Sequence, residues 1–141
     1  MSRIYWDTML FIYLLEDNPE FSARTRQLLN RAYNRGDSLF TSYLAMGELM
    51  AGAQKSPYPE KTLAMKETIE EMGFSCLPFD AGAVAPFAKL RAKQKLKIAD
   101  SIHLACAASA GIDLFLTGDK QLAKLDVAGI QFIADFNTSM L

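Results

Sequence analysis

Apolar residues in this chain fall into short dense clusters that alternate with longer stretches in which they recur every three or four positions. Ile4, Tyr5 and Trp6 predict a short buried strand, after which Asp7 or Thr8 can cap a helix running through Leu10, Phe11, Leu14 and Leu15. Asp17, Asn18 and Pro19 end it. From about residue 20 to residue 35, Phe21, Leu28, Leu29 and Ala32 share one face among polar neighbours, which predicts an amphipathic helix stopped by Gly36 and Asp37. Leu39 and Phe40 predict a second strand. Thr41 or Ser42 can then cap a helix carrying Leu44, Glu48, Leu49 and Ala51, with residues 52–59 expected as a loop. A further amphipathic helix is predicted over residues 61–72, and Gly73 leads into a strand from Phe74 to Phe79 that Pro78 places near its end. Ala81 to Lys93 predicts a helix in spite of Pro86, and Ala99 to Ala110 another that Gly111 stops. Leu114, Phe115 and Leu116 form a compact buried strand ending in Thr117, Gly118 and Asp119, and Ile130 to Ile133 predict the last strand.

Strands that alternate with helices imply an α/β fold with a mainly parallel central sheet covered by helices on both faces. The 141 residues, half of them hydrophobic, suffice for one domain over residues 1–141 with a core that needs no disulfide or metal staple. The formal charge of −1 excludes a protein that coats nucleic acid through overall basicity, so any nucleic-acid contact must be local. Cys76 and Cys106 have no second Cys or His at zinc-ligand spacing and are expected as buried thiols in a reducing compartment. Met9 to Leu15 has the outline of a signal-peptide core, but Asp7 precedes it, acids follow it, and no small-residue cleavage site stands there. No uncharged apolar run approaches the roughly 18 residues that span a bilayer. The expectation is a cytoplasmic protein without a membrane partner.

Candidate chemistry follows from the topology. Ligands of open α/β sheets bind beyond the carboxyl ends of the strands. Asp7 follows the first strand and Asp119 closes the strand at Leu114 to Leu116, so a parallel sheet puts both at one edge. Asp100 opens the Ala-rich helix, where an acid also complements a helix N-terminus by ~0.3 to 1 kcal/mol. Glu48 stands mid-helix among Leu44, Met46, Gly47, Leu49, Met50 and Ala51, with no basic residue within four positions on either side. Convergence of all four would repel by roughly 4 kcal/mol per pair at about 4 Å and an effective dielectric of ~20. A divalent cation would neutralise them, and hard oxygen donors with a single His in the chain favour magnesium or manganese over zinc or copper. Such an ion lowers the pKa of an attacking water and shields charge on a phosphodiester, which suggests metal-assisted phosphodiester hydrolysis.

Lys89, Arg91, Lys93, Lys95 and Lys97 place five cations in nine residues just before Asp100, a local positive arm able to hold substrate phosphates or simply a solvated surface. His103 lies one turn after Asp100, but Leu104, Ala105 and Cys106 around it favour a buried, hydrogen-bonded histidine over a catalytic base. Trp6, Phe11, Phe40, Phe87 and Phe115 are expected in the core, whereas Tyr43 and Tyr58 are less committed.

Taken in order, Tyr5-Trp6-Asp7-Thr8, Gly47-Glu48-Leu49, Ala99-Asp100-Ser101-Ile102-His103-Leu104-Ala105 and Leu116-Thr117-Gly118-Asp119 resemble the PIN-domain family, most closely its VapC-type toxins of toxin–antitoxin pairs. The resemblance spans nearly the whole chain. It implies a PIN-like three-layer sandwich and a metal site of Asp7, Glu48, Asp100 and Asp119. It further implies magnesium- or manganese-dependent endoribonuclease activity, frequent homodimers and inhibition by a cognate antitoxin. Thr117 matches the family's hydroxyl residue ahead of the last acid and takes a supporting role. Met9 departs from the pattern, which commonly has Asn or Ser there, and with the acidic balance it keeps open a PIN-like module that binds RNA or protein without cutting. A receiver-type phosphoacceptor domain also clusters acids and magnesium at a strand edge, but the late Lys such a fold requires is not convincingly present.

Overall fold

The computed structural model describes residues 1–139. Five strands form one wholly parallel sheet in the order β3-β2-β1-β4-β5: β1 (Arg3–Trp6), β2 (Ser38–Ser42), β3 (Phe74–Leu77), β4 (Leu114–Thr117) and β5 (Phe132–Asp135). Six α-helices connect them: α1 (Thr8–Leu15), α2 (Ser22–Arg35), α3 (Tyr43–Lys55), α4 (Thr62–Glu71), α5 (Ala81–Lys93) and α6 (Ile98–Ala110). This is the expected three-layer α/β arrangement.

Period-two alternation explains how the sheet separates two cores. Ile4 and Trp6 of β1, with Leu114 and Leu116 of β4, face one cluster filled by Leu10, Phe11, Leu28, Met46, Leu49, Ile69 and Phe74. Tyr5 and Phe115 point the other way, into a second cluster with Ala83, Leu90, Leu104, Ala105, Ala107 and Ile112. The first core is built on aromatic packing, with Trp6, Phe11 and Phe74 in mutual ring contact at 4.7–5.2 Å. The second is alanine-rich, so α5 and α6 lie close together and a Cβ at Gly82 would come within 2.5 Å of Ser109 Oγ.

Several boundaries differ from the sequence expectation. Residues 52–55 continue α3 instead of starting a loop, because Ala51, Ala53, Gln54 and Lys55 sustain the helix through Gly52, a residue whose interior penalty is only about 1 kcal/mol. Ser56, held extended before Pro57, ends it, and Pro59–Lys61 form a single 3-10 turn. β3 stops at Leu77, not Phe79, since Pro78 has no N–H for the ladder. The last strand begins at Phe132, because Ile130 N–H is spent on the Val127 carbonyl in a turn through Gly129 at φ +96°. Cys106 is buried as expected, whereas Cys76, on the edge strand, is only half-buried, and Phe40 and Phe87 pack partly buried against the second core.

β1 lies at the centre of the sheet. The chain winds from it through β2 to β3 on one side and places β4 and β5 on the other. The carboxyl ends of β1 and β4 therefore flank the point where the winding reverses, the place where this class of sheet leaves a crevice. Asp7 leaves β1 there, and Thr117, Gly118 and Asp119 leave β4.

Candidate active site

Asp7 is both the residue after β1 and the N-cap of α1. Its Oδ1 accepts from the Met9 N–H at 3.1 Å, and its own N–H donates to the Leu116 carbonyl at 3.1 Å. Its Oδ2 accepts from the Thr117 hydroxyl and, at 3.3 Å, from the Gly118 N–H. Thr117 Oγ1 in turn accepts from the Asp119 N–H at 3.0 Å, so one hydroxyl ties the first acid to the backbone of the last. Gly118 is required for this closure, because a Cβ there would stand 2.9 Å from Met9 Cβ and 3.1 Å from the Tyr13 hydroxyl. With only 7% of its surface exposed, Asp7 is a buried carboxylate, and burial raises its pKa against the opposing hydrogen bond from Thr117.

Asp7, Glu48 and Asp100 share one cleft of about 330 Å3 with Thr8, Met9, Ile12, Ala99 and His103. Glu48 reaches it from α3, where Oε1 accepts from the Thr8 hydroxyl at 2.6 Å and lies 2.9 Å from His103 Nε2. The hydrogen bond from His103 holds the Glu48 carboxyl below its ordinary range, so it stands ionised. Asp100 occupies the first turn of α6, half-buried; burial first and then the charges of Asp119 and, more weakly, Glu48 raise its pKa. Asp119 is exposed at the same edge, with Oδ1 accepting from the Gln121 N–H at 2.8 Å, and it is not among the residues lining the cleft. The structure thus brings three of the four sequence-predicted acids to one cleft and leaves the fourth beside it, close enough to act on Asp100.

Among the described residues, no three Asp, Glu, His or Cys side chains are grouped so as to hold a metal ion as they stand. The donor chemistry nevertheless fits a hard cation. All four acids are oxygen donors, and Asp7 and Asp100 carry unfavourable charge that a cation would relieve. Magnesium keeps several of its waters and is bound through one or two carboxylates plus substrate phosphates, so a closed protein cage is not required.

His103 is only 5% exposed and hydrogen-bonded, in line with the sequence expectation, yet it also lines the cleft. The sequence reading missed Tyr5 and Thr8. Tyr5 hydroxyl meets His103 Nδ1 at 2.7 Å, and Thr8 Oγ1 lies 3.3 Å from Nε2. One signal was available: a tyrosine in a fully buried strand must find a partner for its hydroxyl, and the chain has a single histidine.

The cationic arm is divided. Arg91 donates to the Leu96 carbonyl of its own chain, while Lys89 and Lys93 line a second cavity of about 570 Å3 with Ala85, Pro86, Leu90 and Val127. Lys97 caps α6 and acts favourably on Asp100. Met9 is 40% exposed at the mouth of the acidic cleft, where it presents an apolar surface. Among the described residues, no helix is long and apolar enough to cross a membrane.

Comparison with known proteins bears on this arrangement directly. A family model described as the PIN domain matches residues 4–128. No curated protein matches the chain in sequence. Among solved structures, a chain of DNA-bound VapBC from Salmonella typhimurium is similar at 25% identity, with a TM-score of 0.75, covering 96% of this chain and 99% of that one. A chain of VapBC-5, a member of the VapBC family of toxin–antitoxin systems from Mycobacterium tuberculosis, is 28% identical with a TM-score of 0.55, over 68% of this chain and 81% of that one. FitAcB from Neisseria gonorrhoeae, at 22% identity, shares the fold with a TM-score of 0.70 over 98% of this chain and 99% of its own. With the family model spanning the first strand to beyond the fourth and the acids gathered where the sheet winding reverses, this chain belongs to the PIN-domain family of nucleases.

Proposed function

We propose that this chain, acting as one PIN-like domain over residues 1–141, is a magnesium- or manganese-dependent endoribonuclease and the toxin of a toxin–antitoxin pair. The observation that carries the reading is the electrostatic situation of Asp100, whose carboxyl is pushed up by burial and by Asp119 and Glu48 beside it. Convergence of acids at that level of burial is unfavourable without a counter-ion and useful with one.

In this reading Asp7, Asp100 and Asp119 hold the metal, and Glu48 holds a second ion or orients the attacking water. The bound cation would supply a water of lowered pKa and a shield for charge on the scissile phosphate. The protein's own contribution is positional. The Thr117 hydroxyl and the Gly118 and Met9 N–H groups fix the Asp7 carboxylate, Thr8 and His103 fix Glu48, and Lys97 lends positive charge at the rim beside Asp100. The antitoxin partner is supported by the VapBC assemblies at 25% and 28% identity. A homodimer and a cytoplasmic location belong to the same proposal.

Purified protein is to be incubated with a mixed pool of structured RNAs, with magnesium, with manganese and with chelator, beside Asp7→Asn. Metal-dependent cutting by the wild type and its loss in the variant is the expected result. The second reading, a PIN-like module that binds RNA or protein without cutting, draws on Met9, which turns an apolar side chain into the cleft mouth. RNA binding with no cleavage under any metal condition would favour it.

A further inference from the structure

A continuous hydrogen-bonded chain runs from the buried sheet to the acidic cleft. Tyr5 is fully buried in β1, and its hydroxyl lies 2.7 Å from His103 Nδ1. On the far side of the ring, Nε2 lies 2.9 Å from Glu48 Oε1 and 3.3 Å from Thr8 Oγ1. The Thr8 hydroxyl donates to the same Glu48 oxygen at 2.6 Å. Among the described residues, Oε2 of Glu48 accepts no hydrogen bond.

The hydrogens on the imidazole follow from these partners. An ionised carboxylate has no hydrogen to give, so the contact at 2.9 Å is a hydrogen bond only if Nε2 carries the hydrogen. In the neutral ring Nδ1 is then an acceptor, and the Tyr5 hydroxyl, 2.7 Å away, donates to it. The opposite tautomer would set the Nε2 lone pair against the carboxylate at 2.9 Å.

We propose that Tyr5 and His103 are positioning residues for Glu48: Tyr5 locks His103 as the Nε2–H tautomer, and His103, with Thr8, pins Oε1 of Glu48 so that Oε2 is left for the cation or its water. Glu48 stands on the exposed side of α3, where a glutamate otherwise samples many rotamers. Two donors converging on one oxygen remove that freedom before any ligand arrives, as outer-shell partners do for metal-binding side chains elsewhere. The inference rests on the proposed role of Glu48 at the metal, but the state of the ring does not.

The ring is directly readable, because the chain has one histidine. Two-bond proton–nitrogen correlation spectra of the whole, metal-free protein at pH 8 are expected to show a single pyrrole-type Nε2 and a pyridine-type Nδ1. In Tyr5→Phe, which keeps the ring and removes the hydroxyl, the two nitrogens are expected to move towards a mixture of tautomers. The same variant is expected to bind manganese and cut RNA about 10- to 100-fold more weakly. His103→Gln, which retains an N–H near the Nε2 position, is expected to recover most of what His103→Leu loses in manganese affinity at matched thermal stability. A wild-type ring protonated at Nδ1 alone would overturn the proposal. So would Tyr5→Phe with unaltered nitrogens, or Gln and Leu variants of equal affinity. If the wild type neither binds manganese nor cuts RNA while the ring is found as the Nε2–H form and responds to Tyr5→Phe, the nuclease reading fails and the positioning of Glu48 stands.

Discussion

The two halves of the acidic edge are built differently. On the β1 side, Asp7 is buried, caps α1, and has both oxygens occupied by donors from its own chain. On the other side, Asp100 at the start of α6 is half-buried with charged neighbours, and Asp119, just after β4, is exposed, its Oδ1 accepting from the Gln121 N–H. The first half is organised before any ligand arrives. The second carries like charges that act on one another, which a cation would offset. Preorganised groups contribute most where reorganisation would otherwise be needed, so Asp7 is expected to be the more sensitive position.

The largest expected effect sharpens that contrast. Asp7→Asn presents an amide N–H to a site made of donors and removes a proposed metal ligand, so RNA cleavage is expected to fall by more than the roughly 100-fold that bounds loss of a supporting contact. Asp119→Asn is expected to reduce cleavage less. Equal losses, measured as single-turnover rates at saturating metal, would mean that preorganisation does not distinguish the halves.

Next comes Thr117→Val, which keeps the shape of the side chain but leaves Asp7 Oδ2 short of its hydroxyl donor. Cleavage is expected to drop about 10- to 100-fold. Stability is expected to drop by ~1 to 3 kcal/mol, the usual penalty of an unsatisfied buried polar group, which thermal unfolding would register as several degrees. Thr117→Ser is expected to restore both.

Asp100→Asn is expected to act in the opposite sense on stability. The folded-state pKa of Asp100 is raised above its ordinary 3.8, by burial first and then by Asp119. A raised value means that the stabilising form is the protonated one, complete at low pH and lost as pH rises through the folded pKa. In chelator, the variant is therefore expected to unfold with the wild type at low pH and a few degrees above it at neutral pH, while cutting RNA poorly. A variant less stable than wild type at neutral pH would show that Asp100 is held by favourable contacts after all.

The smallest effect concerns the cations. Lys97→Ala is expected to weaken RNA binding uniformly across sequences and lower the slope of log affinity against log salt by about one. Lys89→Ala, whose side chain faces the second cavity, is expected to leave that slope unchanged.

Much of this edge was legible because local signals and topology agree. Clusters such as Ile4-Tyr5-Trp6 and Leu114-Phe115-Leu116 are too short and apolar for surface helices, and in a parallel sheet the residues that follow them must share an edge. Asp7 and Asp119 follow from that alone. Glu48 was legible only as an anomaly, an acid among apolar neighbours, since nothing in a one-dimensional pattern says which face of α3 meets α6. The Tyr5–His103–Glu48 chain joins residues separated by 98 and 55 positions, and only the packing of α6 over the sheet reveals it. The end of α3 was misjudged because Gly52 and Pro57 both mark turns, and only Pro57 ends the helix.

The most direct test of the central claim, that these acids form a cation site, is equilibrium manganese binding by the RNA-free protein, read from loss of the free-ion electron paramagnetic resonance signal. The account expects saturable binding by the wild type at one or two ions per chain, weakened at least about tenfold in both Asp7→Asn and Asp100→Asn. Wild-type binding that both variants reproduce unchanged would contradict it.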